Sequence, residues 1–323
     1  MNNLKNKKLL IFGTGAVGGY YGGVLVKAGF DVTFIARGEN YEVLKQNGLT
    51  LICDGKKEIF PINVVETPGR ASLQGIFDYI FICVKSMDTK SAAEKIKNNV
   101  GPDTNILSFQ NGVDNEEIIG DVVGIEKVIS SNVYVASTQV SPGIIGQLGY
   151  NAVLFGELDR KESKRVLELK NILESAGILC AIPEDIVAEL WNKLVWNASF
   201  NPVSVLTGQT VDKILEDKEL LELVKNIMTE VRDVAIAHGI GIRKDTVEFN
   251  VERSRGVGRS STDGAQDFTG FKTSMLQDFE KGRPLELEAL VGVVIKKAKE
   301  KNIKVPNIEK VYNEVKKKSV VCV

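Results

Sequence analysis

An apolar run, Leu9-Leu10-Ile11-Phe12, passes directly into Gly13-Thr14-Gly15-Ala16-Val17-Gly18. The run reads as a buried strand and the glycines as a tight turn. A helix from Val17 to Ala28 follows, then a second strand, Val32-Thr33-Phe34-Ile35-Ala36. This order fixes a parallel strand pair with a crossover helix. Gly13 permits the turn, Gly15 lets backbone N–H groups approach a phosphate, and Gly18 lets the helix pack close to the strand. The helix N-terminus adds partial positive charge. Gly13, Thr14, Gly15, Ala16, Val17 and Gly18 are therefore the expected pyrophosphate cradle of a dinucleotide-binding unit. The alternative is a plain strand–turn–helix.

The end of the second strand discriminates between dinucleotides. An acidic residue there takes the ribose hydroxyls of NAD, whereas an arginine accommodates a 2′-phosphate. This chain has Ala36-Arg37-Gly38, and its first acid afterwards is Glu39. Arg37 attracts a phosphate and can pair with it bidentately, so NADP(H) is the expected cofactor. The alternative is a solvated loop arginine.

A length of 323 residues suggests two domains. A net charge of −1 gives no global field to draw in nucleic acid or an anionic membrane. No segment reaches the roughly 18 uninterrupted apolar residues of a membrane span, and the first apolar run is a strand rather than a leader. Cys53, Cys83, Cys180 and Cys322 show no CxxC spacing, which points to a reducing, cytoplasmic setting. The single histidine, His238, precedes Gly239 near the end of a helical pattern and reads as a helix-terminal cation. One histidine argues against His-based triads and multi-histidine metal sites.

Residues 1–182 alternate apolar strands with helical stretches, the pattern of a Rossmann-type sheet domain. Strands are expected at 78–84, 105–109 and 178–182, with an antiparallel pair over 127–138 and 143–156 and a helix from Ser163 to Ala176. Pro183-Glu184-Asp185 marks a boundary, and residues 183–323 read as an all-α domain. Helices are expected over 185–200, 218–238, 264–281, 285–301 and 306–318. The polar, basic stretch 253–261 reads as a loop, either contacting phosphate or simply solvated. The abundance of helices in the second half is compatible with a homodimer.

Two strand ends carry polar side chains where a parallel sheet faces its cofactor. Lys85 follows the strand over 78–84, and Asn111 lies in Gln110-Asn111-Gly112. Either residue could merely terminate its strand. In the second half, Lys193, Asn197 and Asn201 recur every four residues, forming a stripe roughly 80° wide on a helix otherwise made of Trp, Leu, Val, Ala and Phe. Such a stripe must face water, a polar network or a ligand. The alternative is a Glu189–Lys193 pair with asparagines capping the helix before Pro202. A lysine in such a place would have its pKa lowered by desolvation and by any cationic neighbour, toward the range where general acid catalysis is efficient. Ser274 and Glu286 flank a Gly282-Arg283-Pro284 turn, so both can face one site; Glu286 could instead be an acid favoured by a helix N-terminus.

Taken together, the glycine turn, Val84-Lys85, Gln110-Asn111-Gly112, Trp191-Asn192-Lys193-Leu194 with Asn197 and Asn201-Pro202, and Ser274-Met275-Leu276-Gln277-Asp278 with Glu286 resemble the ketopantoate reductase family. The similarity runs over nearly the whole chain. It implies NADPH-dependent reduction of a small 2-keto acid, 2-dehydropantoate, to pantoate, on the route to pantothenate and coenzyme A. By position it makes Lys193 the general acid and Glu286 the partner of the nascent hydroxyl. Asn197, Asn201 and Ser274 would hold substrate. Lys85, Asn111 and Glu286 would border the cofactor, and Asn111 the substrate as well. Arg37 would take the 2′-phosphate. The segment 251–271 is richer in Gly, Ser and Arg than compact members have. Rival readings are reduction of a different branched 2-keto or 2-imino acid, and a non-catalytic NADP-sensing protein.

Overall fold

The computed structural model describes residues 4–66, 73–256 and 268–321. The chain forms two compact units, Met1–Gln110 with Asp114–Ile186, and Asn111–Val113 with Val187–Val323.

The first unit is built on a ten-stranded sheet. Its strands are β1 (Lys8–Phe12), β2 (Asp31–Ala36), β3 (Leu49–Cys53), β4 (Lys56–Phe60), β5 (Asn63–Glu66), β6 (Tyr79–Ile82), β7 (Asn105–Ser108), β8 (Val128–Ser141), β9 (Ile144–Gly156) and β10 (Cys180–Ala181). The spatial order is β4-β3-β9-β8-β7-β6-β1-β2-β5, with β10 beside β9. The run from β5 to the start of β8 is parallel, and β8 continues as an antiparallel partner of β9. Strand order reverses between β1 and β6, and α/β sheets bind ligands at such a reversal.

Five helices cover the sheet: α1 (Ala16–Lys27), α2 (Gly38–Asn47), α3 (Thr89–Ile96), α4 (Asn115–Val123) and α5 (Lys164–Ser175). Successive residues of β1 point to opposite faces. Leu9 and Ile11 join Tyr21 and Leu25 of α1 and Leu169 and Ile172 of α5 in one core. Leu10 and Phe12 join Ala92 and Ile96 of α3 and Ile119 of α4 in another. Burying each of these aliphatic side chains stabilises the fold by about 1.5–3 kcal/mol, which is why both faces of the opening strand are apolar.

The antiparallel pair expected over 127–156 is present as β8 and β9. The strand expected over 78–84 is shorter, Tyr79–Ile82, and Cys83 N adds one more bond to the Phe12 carbonyl of β1. The strand expected over 178–182 is reduced to two residues. β3, β4 and β5 had no expectation. The outer strand β4, Lys-Lys-Glu-Ile-Phe, is largely exposed, and its charges discourage pairing with another chain.

The second unit holds α6 (Ile186–Thr207), α7 (Val211–Glu216), α8 (Lys218–Ala237), α9 (Thr246–Arg255), α10 (Ser274–Glu280), a π-helical turn (Glu288–Gly292), α11 (Val293–Glu300) and α12 (Pro306–Val321). Its core includes Val195, Phe200, Val231, Val294 and Val311. The helix expected to stop near residue 200 runs on through Pro202, because Val203 and Val205 continue its buried face. The helix expected over 264–281 is confined to Ser274–Glu280. Thr273 caps it by accepting from Leu276 N, and residues 257–267 lie outside the described residues. Arg253–Arg255, expected in a loop, form the last turn of α9. His238 ends α8, its Nε2 2.9 Å from the Lys297 carbonyl oxygen. Among the described residues, no helix is long and apolar enough to cross a membrane. Cys53, Cys83 and Cys180 are free thiols, and Cys322 lies outside the described residues.

Candidate active site

The glycine turn sits at the carboxyl end of β1. Gly13 has φ +106°, and a Cβ there would come within 2.8 Å of Val84 Cγ1. At Gly18 a Cβ would lie 2.2 Å from the Gly13 carbonyl oxygen and 2.9 Å from Cys83 Cβ. At Gly15 a Cβ would meet nothing within 4 Å. Gly13 and Gly18 are therefore required by packing, whereas Gly15 opens onto free space at the first turn of α1. Among the described residues no side chain caps that helix, whose N-cap is Gly15. Open space before helix N–H groups fits a pyrophosphate. Gly13 N and Thr14 N both donate to the Ile35 carbonyl, which locks the turn to β2.

Arg37 follows β2 and is the N-cap residue of α2. Its side chain is 80% exposed, with Nη2 3.7 Å from Asp88 Oδ2. A guanidinium so loosely held is accessible to an anion. Asn40 Nδ2 donates to the Thr14 carbonyl at 2.8 Å, tying the glycine turn to α2.

Beyond β6 and β7 the chain ends are joined by a polar network. Gln110 Nε2 donates to the Val84 carbonyl at 3.0 Å and to Thr89 Oγ1 at 2.8 Å. Thr89 Oγ1 lies 2.9 Å from Asn115 Oδ1, and Ser108 Oγ donates to Gln110 Oε1 at 3.1 Å. Lys85 is exposed, at the head of a short 3-10 turn. Asn111 is half-buried and belongs to the helical unit, as does Val113, which packs on that unit's core.

Glu116, on the first turn of α4, had no expectation. It is 5% exposed, and Ser130 Oγ donates to its Oε1 at 3.1 Å. Burial pushes its carboxyl up to about 7, against hydrogen bonds from Ser130 and the Ser131 backbone. Its sequence signal is faint, since one acid beside another on an amphipathic helix looks solvated.

Lys193, Asn197 and Asn201 lie on successive turns of α6. Lys193 is partly accessible. Burial lowers its pKa to about 8; the Glu286 carboxylate opposes the fall and the Arg253 guanidinium adds to it. The expected cationic neighbour is thus Arg253, a residue assigned to a loop from the sequence. Asn197 is 7% exposed. Asn201 is fully buried, and neither atom of its amide has a hydrogen-bond partner among the described residues. A buried amide left unpaired costs about 1–3 kcal/mol, which a polar ligand would offset.

Glu286 is buried, and its backbone carbonyl accepts from Leu290 N at the start of the next helix. Its charge acts on Lys193. A π-helical turn opens two residues later, a feature frequent at functional sites. Ser274 is exposed on the first turn of α10. Trp196, one turn from Lys193, stacks against Phe200 and Phe268 at 5.0 and 5.7 Å and donates through Nε1 to Ser254 Oγ at 2.9 Å. Among the described residues, no group of three His, Cys, Asp or Glu side chains is placed to hold a metal ion.

A Rossmann-like sheet domain with a glycine turn, followed by a helical domain carrying a lysine of lowered pKa, is the architecture of a dehydrogenase-type oxidoreductase. The models of ketopantoate reductase PanE/ApbA and of its C-terminal domain match residues 9–160 and 185–319. The 2-dehydropantoate 2-reductase of Mesorhizobium japonicum is 34% identical over 308 residues, covering 89% of this chain and 90% of the relative. The crystal structure of 2-dehydropantoate 2-reductase from Geobacter metallireducens superposes with a TM-score of 0.86 at 29% identity, over 96% of this chain and 99% of that one. D-mandelate dehydrogenase, solved with NADH and anilino(oxo)acetate, has the same fold at 21% identity and a TM-score of 0.86, over 98% and 99% of the two chains. The chain belongs to the ketopantoate reductase family.

Proposed function

We propose that this protein reduces 2-dehydropantoate to pantoate with NADPH, as its relatives' names suggest. The observation that carries the reading is Lys193, an ammonium with a pKa near 8 on the same helix as two buried asparagines and beside a buried carboxylate. Gly13 to Gly18 would hold the pyrophosphate and Arg37 the 2′-phosphate, with Lys85 and Asn111 bordering the nicotinamide end. NADPH, when bound, supplies the hydride. Lys193 stabilises the developing alkoxide and gives it a proton. Glu286 holds the ammonium and accepts from the new hydroxyl. Asn197 and Asn201 orient the substrate's polar groups. A non-catalytic sensor needs no such proton donor.

A second reading is a different branched 2-keto acid with a larger apolar group. The test is the decay of NADPH absorbance with a panel of 2-keto acids. Highest kcat/KM with 2-dehydropantoate supports the first reading. A bulkier acid ahead of it supports the second, and no decay with any acid removes both.

A further inference from the structure

Helix α9 is stitched to α6 at two points. Thr246 Oγ1 donates to Asn192 Oδ1 at 3.4 Å, and Trp196 Nε1 donates to Ser254 Oγ at 2.9 Å. These two bonds bracket Lys193 on α6. Thr246, Asn250 and Ser254 recur every four residues and are all buried, so they form the face of α9 turned to α6. Asn250 Nδ2 satisfies itself on the Thr246 carbonyl at 2.8 Å. Arg253 comes seven residues after Thr246, which puts it within about 20° of Thr246 around the helix. It is partly accessible, as Lys193 is, and its charge reaches the Lys193 ammonium.

Setting a guanidinium near a catalytic lysine is costly. Arginine does not shed its proton, so the lysine takes up the repulsion. A ligand carboxylate reverses that cost. In a 2-keto acid the carboxylate is bonded directly to the ketone carbon. A group that grips the carboxylate therefore also places the ketone oxygen. The planar fork of arginine suits that grip, because it binds a carboxylate through two parallel N–H bonds.

We propose that Arg253 is a substrate-binding residue that takes the C1 carboxylate of the 2-keto acid and so presents its ketone oxygen to Lys193. This inference rests on the reductase reading above. It places the carboxylate on α9 rather than on Ser274 or the asparagines of α6. The asparagines are then left to hold the rest of the substrate.

The test compares the 2-keto acid that the wild-type enzyme turns over best with its neutral 2-keto amide. Wild type, Arg253→Met and Arg253→Lys are assayed with NADPH. Arg253→Met is expected to lower kcat/KM for the acid by about 10²-fold and for the amide by less than threefold, chiefly through KM. Arg253→Lys, which keeps the charge but not the fork, is expected to recover part of the preference for the acid. With Arg253→Met, the alkaline fall in the amide's kcat/KM should also move to higher pH, because Lys193 then faces Glu286 without a competing cation. Equal losses for acid and amide, or an unchanged acid, would overturn the assignment while leaving the reductase reading intact. No turnover of any acid by the wild type would overturn both.

Discussion

Lys193 is the residue on which the chemistry turns, and its acidity is a product of place. Burial disfavours an ammonium that one carboxylate and one guanidinium pull in opposite directions. Lys193→Ala is expected to lower kcat by about 10²-fold or more while leaving NADPH affinity nearly intact, measured by steady-state kinetics and fluorescence titration. Since only the protonated form donates, kcat/KM of the wild type should be flat below pH 8. Above it, the value should fall about tenfold per unit. Arg37 is tested separately. Arg37→Ala is expected to raise the Kd for NADPH by at least about tenfold and leave that for NADH within about twofold, because only NADPH carries the phosphate. Equal losses would detach Arg37 from the 2′-phosphate.

Among the elements, the glycine turn separates packing from binding within six residues. Gly18→Ala would set a methyl 2.2 Å from a backbone oxygen that has nowhere to go. The expected cost is on the order of 1–3 kcal/mol in the urea midpoint, with cofactor binding weakened as the turn shifts. Gly15→Ala meets no atom of the described residues within 4 Å, and its φ of −88° suits alanine. Its stability should stay near that of wild type, while NADPH binding weakens because the methyl occupies the approach of the phosphates. A Gly15→Ala variant with normal NADPH affinity would remove the turn from the cofactor site. The turn and the Lys193 stripe are both local patterns, one of glycine spacing and the other of helical period. That is why both could be read from residue order. Helix α9 could not. Three of its five buried residues, Thr246, Asn250 and Ser254, are polar, and polar residues at helical spacing look like solvent exposure until α6 is placed against them.

At the scale of the whole molecule, two titratable groups of shifted pKa tie stability to pH in separate windows. Glu116 has its pKa raised from 4.5 to about 7, so the folded state holds the proton longer than the unfolded one. Its stabilising contribution is present below pH 4.5 and is lost as pH rises through 7. Glu116→Gln is expected to raise unfolding free energy at pH 8 by about 1–3 kcal/mol relative to the difference at pH 4.5. Lys193 works the other way. Its folded-state pKa near 8 lies below the ordinary 10.5, so the unfolded chain binds more protons between these values and stability climbs with pH across them. Lys193→Met should therefore stabilise the protein at pH 7 and lose that advantage by pH 10.5. Urea midpoints measured across pH check both signs.

The order of residues by itself determined the sheet that opens the chain, the helical half that follows, the glycine cradle and the lysine–asparagine stripe. Each is encoded by neighbours a few positions apart, where covalent geometry and side-chain period leave little choice. Tertiary structure alone decided that Glu116 is buried against Ser130, that α6 continues through Pro202, and that Arg253 and Glu286 share the field around Lys193. Burial and charge act across space between segments up to 93 residues apart in number, from 193 to 286, and no local pattern records which of those segments will meet.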